Sequence, residues 1–229
     1  MAQRPRAPRS SVKSLSRRDA LMNEIRRSIV RGDVRPGQKL TEASLSDGLN
    51  VSRSTVREAF AHLVNEGFLV QEPFRGIFVA SLSAEDIQQT AQVRMAMDML
   101  AVDQILDDAT GARLAAVREA WVDYERDISQ EDPLARHEAH VRFHRRLWEA
   151  SGNAALVRLW PAIEAQVALQ LAEDQRLASD LNRDVDVHRR LVEALERAFD
   201  GDRSDLGPAF EAHTFGSLEA LIASLPVNE

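Results

Sequence analysis

The chain has 229 residues, of which 44% are hydrophobic and 28% charged, and this composition excludes a wholly disordered protein. It contains no cysteine, which excludes disulfides, thiol catalysis and cysteine-containing metal sites, so a metal would need histidine and carboxylate ligands. No apolar run reaches membrane-spanning length and the N-terminus lacks the apolar segment of a secretory signal, so we expect a soluble, cytoplasmic protein.

Charge is divided unevenly along the chain. Residues 1–80 carry 14 Lys and Arg against 8 Asp and Glu, whereas residues 81–229 carry 15 against 28, within a net charge of −7. The asymmetry indicates that only the first part meets a polyanion, with chance clustering on solvated surfaces as the alternative. Residues 1–18 are basic, without an acidic residue, and predict a disordered arm.

The pattern over residues 19–81 predicts three helices followed by a two-stranded hairpin. Apolar residues recur at helical spacing in each predicted helix. Thr41 and Ser52 are placed as N-caps of the second and third helices. Two β-prone runs follow, over residues 68–70 and 77–80. This order of elements predicts a winged helix-turn-helix.

The third predicted helix has the features of a DNA-recognition helix. The first turn of such a helix offers side chains to base edges and N–H groups to phosphates. Arginines four residues apart lie on one side, and small hydroxyl residues suit short hydrogen bonds to phosphates or bases. A solvated helix face is the alternative. The candidate DNA-binding residues are Ser52, Arg53, Ser54, Thr55 and Arg57.

Four stretches carry a family resemblance: RGDVRPGQKLTE at 31–42, VSRSTVREA at 51–59, EGFL at 66–69 and RG at 75–76. Together they resemble the DNA-binding domain of the GntR family of bacterial transcription regulators. The resemblance implies that Arg53, Arg57, the neighbouring hydroxyl residues and the wing glycine Gly76 contact DNA. Some members have an arginine in the second helix where this chain has Ala43, so we expect an altered operator preference on the same fold.

Residues 84–225 predict an all-helical bundle of about six helices, which makes the whole chain mainly α. A capping box at Ser83–Asp86 begins it, Thr110-Gly111 interrupts the pattern, and Pro133 suits the first turn of a helix. Pro161 either kinks its helix or marks the helix's true start. The later helices are expected over residues 154–178, 181–200 and about 208–224.

Five of the six histidines lie in this acidic part. His140 and His144 are four residues apart, so their imidazoles project from one helix face at a spacing that can chelate one ion. His188 and His213 could converge on them, because bundle metal sites are built from facing helices. Surface or hydrogen-bonded core histidines are the alternative. The role of His137 is left open.

Residues 86–225 resemble the all-helical effector domain of the FadR subgroup, the FCD domain, at Arg94–Asp98, Phe143–Asn153, His188 and His213. The resemblance implies a divalent ion, commonly zinc or nickel, held by one Asp and three histidines. The histidines map onto His144, His188 and His213, but His140 replaces the Asp. Four neutral imidazoles leave the ion its full charge and favour zinc, nickel or copper over magnesium or calcium. Alternatively, His140 is a polar core residue in a metal-free pocket.

Arg94 occupies a position where the subgroup has an arginine facing the effector pocket. It could clamp a carboxylate through two parallel hydrogen bonds, or instead form an ion pair with Asp98, four residues on.

These features predict a metabolite-responsive transcription regulator, most often a repressor. We expect a homodimer on an inverted-repeat DNA operator, nucleoid-associated when bound, with no membrane partner, whose operator affinity changes with a small carboxylate metabolite. One alternative is a metal-dependent hydrolase or dioxygenase with a basic N-terminal appendage, although neither HExxH nor a two-His-one-carboxylate triad is evident. The other alternative is an architectural DNA-binding protein that no effector controls.

Overall fold

The N-terminal part of the protein folds into three helices and a small sheet. The computed structural model describes residues 16–177, 181–216 and 218–224. The elements of this part are α1 (Arg17–Arg31), β1 (Lys39–Leu40), α2 (Glu42–Leu49), α3 (Arg53–Glu66), β2 (Leu69–Glu72) and β3 (Gly76–Val79).

The predicted helix caps are confirmed. The side chains of Thr41 and Ser52 accept hydrogen bonds from Ser44 N and Thr55 N at the starts of α2 and α3. The basic arm was predicted too long, because α1 begins at Arg17 behind the cap Ser16; residues 1–15 of that prediction lie outside the described residues.

The sheet has three antiparallel strands rather than the predicted two, in the order β1-β3-β2. The additional strand pairs Lys39 with Phe78 and Leu40 with Ile77. Two residues are too short a run for alternation to reveal a strand in the sequence.

The helical part begins with a confirmed capping box between Ser83 and Asp86, and Pro133 is the first residue of its helix as predicted. Its helices are α4 (Ala84–Leu106), α5 (Ala112–Ile128), α6 (Pro133–Ala150), α7 (Ala154–Leu177), α8 (Leu181–Phe199), α9 (Leu206–Phe215) and α10 (Leu218–Ser224).

One expectation about this part requires correction, and one open alternative is decided. The single last helix predicted over 208–224 is divided into α9 and α10, and α9 begins at Leu206 because Pro208 lies in the first turn, where no amide donor is needed. Pro161 lies inside α7 and does not mark its start. The Asn153 side chain instead accepts bonds from Ala155 N and Leu156 N at the beginning of that helix.

Two hydrophobic cores meet at α7. The bundle core buries large side chains, among them Leu156 and Trp160 of α7. The core of the N-terminal part includes Ala165, Ala168 and Leu169 from the same helix. The N-terminal part is therefore packed directly against the bundle. Among the described residues, no helix combines the length and apolar character needed to cross a bilayer.

Candidate metal centre and DNA-binding surface

Four histidines from three helices converge inside the bundle. His140 and His144 come from α6, His188 from α8 and His213 from α9, and one ligand nitrogen from each lies within 4.8 Å of the others. His188 Nε2 is 3.2 Å from His144 Nε2 and 3.1 Å from His213 Nε2. The structure thus brings together all four histidines that the sequence analysis singled out, while their role as ligands stays a prediction.

The environment of this histidine cluster disfavours the protonated form of three of its imidazoles. Burial, reinforced by neighbouring positive charge that includes Arg94, holds the pKa of His140, His144 and His213 well below the ordinary histidine value. Neutral imidazoles are the form that ligates metals. Nitrogen lone pairs that converge at such distances repel each other unless a cation or proton lies between them.

The spacing also fits a metal. Tetrahedral zinc with Zn–N bonds of 2.0–2.1 Å places its nitrogens about 3.3 Å apart, close to the contacts around His188 Nε2. The Nδ1 atoms of His140, His144 and His213 are buried without a hydrogen-bond partner among the described residues, so no described neighbour fixes which nitrogen of these three rings faces the ion. The donor set and its separations therefore suit a divalent ion that prefers nitrogen.

Tyr124 is a part of this centre that the sequence analysis missed. Its hydroxyl lies 3.2 Å from His188 Nδ1, and the two rings are 4.6 Å apart. Such a contact orients a ligand histidine and fixes which nitrogen faces the ion. The signal was available in the spacing, because Tyr124 continues the buried stripe of Leu114 and Val117 on α5.

Arg94 and Asp98 form a buried pair on α4, 8% and 0% exposed. Arg94 Nε is 3.5 Å from Asp98 Oδ2, too long for a good hydrogen bond, while Trp148 Nε1 donates to Asp98 Oδ1 at 2.6 Å. Burial lowers the pKa of Arg94 and raises that of Asp98, and their mutual attraction opposes both shifts. The ion pair is present, yet Nε and Nη2 of Arg94 lack hydrogen-bond partners within the described chain. A carboxylate clamp at Arg94 stays a prediction.

The predicted DNA-binding residues lie at the start of α3. The Ser52 hydroxyl caps the helix and lies 2.8 Å from the hydroxyls of Ser54 and Thr55, so these three side chains support each other locally. Arg53 is exposed. Arg57 donates through Nε and Nη2 to Glu42 of α2, at 3.0 and 2.9 Å. This fork fixes the direction of Arg57, and Glu42 had not been identified from the sequence.

The wing adds residues that the sequence analysis also missed. Gly76 has φ +119°, and a Cβ there would lie 3.0 Å from Lys39 Cε, so this position requires glycine whether or not it contacts DNA. Lys39 Nζ and the Arg75 guanidinium lie 5.8 and 5.5 Å from the Phe78 ring centre. Phe74 is fully exposed at the tip, with φ +63°. Exposed cations and an exposed aromatic therefore occupy one projecting edge.

Comparisons with known proteins agree with this division. Residues 17–79 match the profile described as bacterial regulatory proteins, gntR family, and residues 89–205 match the FCD domain. The second match ends before His213, which lies on α9.

Among similar proteins, the HTH-type transcriptional regulator YdhC of Bacillus subtilis is 26% identical over 182 residues, covering 76% of this chain and 79% of that protein. A protein named as regulator of the L-lactate dehydrogenase operon of Escherichia coli is 28% identical over 215 residues, covering 85% and 82%. The solved structure of E. coli McbR/YncC is 17% identical with a TM-score of 0.72, covers 92% of this chain and 99% of its own, and supports the fold. The matches are to regulators and not to enzymes, so the enzymatic alternative is set aside.

Proposed function

Since the chain belongs to the GntR family of bacterial regulators and carries an FCD domain, we propose that it is a metabolite-responsive repressor whose helical part binds a divalent metal and a small organic acid. The convergence of four ligand nitrogens within 4.8 Å carries this proposal.

The metal ligands in this proposal are His140, His144, His188 and His213. An all-imidazole donor set favours zinc or nickel. When bound, the ion supplies positive charge that attracts a carboxylate. Tyr124 holds the ring of His188 in its ligating orientation through the contact at Nδ1.

Arg94 is the proposed second anchor for the acid. Its positive charge acts on His140, His144 and His213, which places it in the electrostatic surroundings of the cluster. Its Nη2 is a buried donor without a partner among the described residues, and a ligand carboxylate would satisfy it. A small hydroxy acid fits this chemistry, and the E. coli relative is named for the L-lactate dehydrogenase operon.

The proposed DNA-contacting residues are Ser52, Arg53, Ser54, Thr55, Arg57 and Gly76, within a DNA-binding domain over residues 19–81. We add Phe74, because exposed apolar side chains of minor-groove proteins insert between base steps, and Lys39 and Arg75 beside it suit phosphates.

A homodimer would present two such domains to an inverted repeat. The exposed apolar side chains of Val93 and Leu100, seven residues apart on α4 of the proposed effector domain over residues 84–225, support pairing through that helix. An acid that binds one dimer arrangement more tightly than another lowers operator affinity by that difference.

Elemental analysis of the purified protein tests the metal. We expect about one zinc or nickel ion per chain, and a large loss in the variant His144→Ala. His62→Ala, which changes an exposed histidine of α3, is the matched control and should keep the ion. An unchanged metal content in His144→Ala would rule out this ligand assignment.

Binding to DNA selected from the organism's own promoters tests whether the protein recognises a specific operator and releases it when an organic acid binds. Fluorescence anisotropy should show preference for one duplex over random DNA, and release on addition of one of a panel of hydroxy acids. The variant Arg94→Lys keeps the charge beside Asp98 but loses the two-pronged geometry, so it should bind the same DNA with a weakened acid response. A full acid response in Arg94→Lys would show that Arg94 serves only the ion pair with Asp98.

A further inference from the structure

A cavity of about 330 Å³, the interdomain cavity, lies between α1 of the N-terminal part and helices α6 and α7 of the bundle. Its wall includes the apolar side chains of Phe68, Leu134 and Val141. The size and the combination of apolar surface with a few polar groups are those of a small-molecule site.

Positive charge dominates the lining of the interdomain cavity. Four arginines and two carboxylates line it: Arg26 and Arg27 come from α1, Arg142 and Arg145 from α6, and the carboxylates are Glu138 and Glu164. Arg26 is itself paired with Glu66, so the free donors come from the other three arginines. Burial also raises the pKa of the Glu164 carboxyl, which weakens the negative charge opposing an anion.

Three of these arginines have N–H donors that their ion pairs do not use. Each bonds a neighbouring carboxylate through a single guanidinium nitrogen, although a guanidinium has five N–H donors. The pairs are Arg27 Nε with Glu138 at 3.2 Å, Arg142 Nη2 with Asp127 at 2.6 Å, and Arg145 Nε with Glu149 at 3.0 Å. An anion between α1 and α6 can therefore be bound without breaking these ion pairs.

His137 contributes a buried polar group to the same wall. It is 4% exposed, and its Nδ1 has no hydrogen-bond partner in the described part of the chain. A buried polar atom without a partner is costly and uncommon in native proteins. Since Nδ1 has almost no accessible surface, His137 forms part of the wall, and a ligand would reach Nδ1 only after a small rotation of the ring.

We propose that the interdomain cavity binds a small organic anion, carrying a carboxylate or a phosphate, at a site separate from the histidine cluster. The ligand contacts arginines of α1 and α6 at once, so it binds only the arrangement in which the DNA-binding part is seated on the bundle. Its binding therefore favours that arrangement over others. This is a second input, beyond the metal-linked acid of the proposed function.

Calorimetric titration of the full-length protein tests the proposal, with succinate and inorganic phosphate as probes. The protein is first stripped of metal and dialysed, so the histidine cluster contributes no ion. We expect one site for at least one probe, and the tighter probe identifies the carboxylate or the phosphate class. Both Arg27→Gln and the double variant Arg142→Gln/Arg145→Gln should weaken binding about tenfold or more, because each removes charge-assisted bonds from one wall.

Arg118→Gln is the matched control, because Arg118 is a half-exposed arginine of α5 that pairs with Glu196 outside the cavity. It should bind like the wild type, and so should His144→Ala. The proposal is overturned if neither probe binds at millimolar concentration, if Arg118→Gln weakens binding as much as the cavity variants, or if His144→Ala abolishes it. Retained binding in His144→Ala supports this site whatever the fate of the metal proposal.

Discussion

Removal of the buried imidazole of His137 should make the protein more resistant to acid. Burial lowers the pKa of His137 to about 4, whereas an unfolded chain titrates its histidines near pH 6.5. The unfolded state therefore binds more protons between these values, and the free energy of unfolding falls as the pH decreases. From pH 7 to pH 5, this one residue costs about 2 kcal/mol, at 1.36 kcal/mol per pH unit below 6.5.

The variant His137→Leu removes this cost without leaving a large void. Urea unfolding of metal-free protein at pH 7 and pH 5 measures the effect, since the four clustered histidines then contribute equally to both proteins. The unfolding free energy of the variant relative to wild type should rise by about 2 kcal/mol on going to pH 5. His62→Leu, at an exposed histidine, should follow the wild type. An identical loss of stability in His137→Leu and wild type would contradict a buried, neutral His137.

Three further predictions concern metal and DNA. Tyr124→Phe should weaken metal affinity about 10–100-fold in a competition titration with a chromogenic chelator while the protein stays folded, and unchanged affinity would show that the contact at His188 Nδ1 is incidental. Arg53→Ala should cost about 1–3 kcal/mol of operator binding and relax specificity at one base pair, whereas uniform weakening on all sequences would show a phosphate contact. Phe74→Ala should reduce operator affinity with little change in the salt dependence of binding, because it removes no charge. A change in the slope of binding affinity against salt concentration would refute the proposed insertion of Phe74 between base steps.

The fold was largely predictable because the residues that begin and end its helices act locally. Thr41, Ser52 and Ser83 cap helices through their own side chains, and such caps depend on few neighbours. The errors arose where local signals were short or ambiguous. Strand β1 has two residues, and Pro208 follows a glycine, so it suggested a break although it lies inside the first turn of α9.

All four histidines were predicted, but spacing alone reveals only two of them, and the other two came from the family resemblance. His140 and His144 share a helix face, which spacing alone reveals, while the approach of His188 and His213 depends on tertiary packing. The spacing on α5 places Tyr124 in the buried stripe, but its contact with His188 depends on tertiary packing. Glu42 was missed because it acts through Arg57, and no spacing in the sequence links these two residues.

Helix α7 contributes side chains to both hydrophobic cores and so connects them rigidly. Trp160 anchors it in the bundle core, and Leu169, nine residues further on, anchors it beneath the DNA-binding helices, about 14 Å along the axis. The DNA-binding part is thus joined to the helical part by a shared apolar core, in addition to the linker between them. The effector response proposed for the helical part would have to reach DNA either through a rigid tilt of α7 or through separation of the apolar contacts around Ala165, Ala168 and Leu169, and only the tilt keeps those contacts out of water.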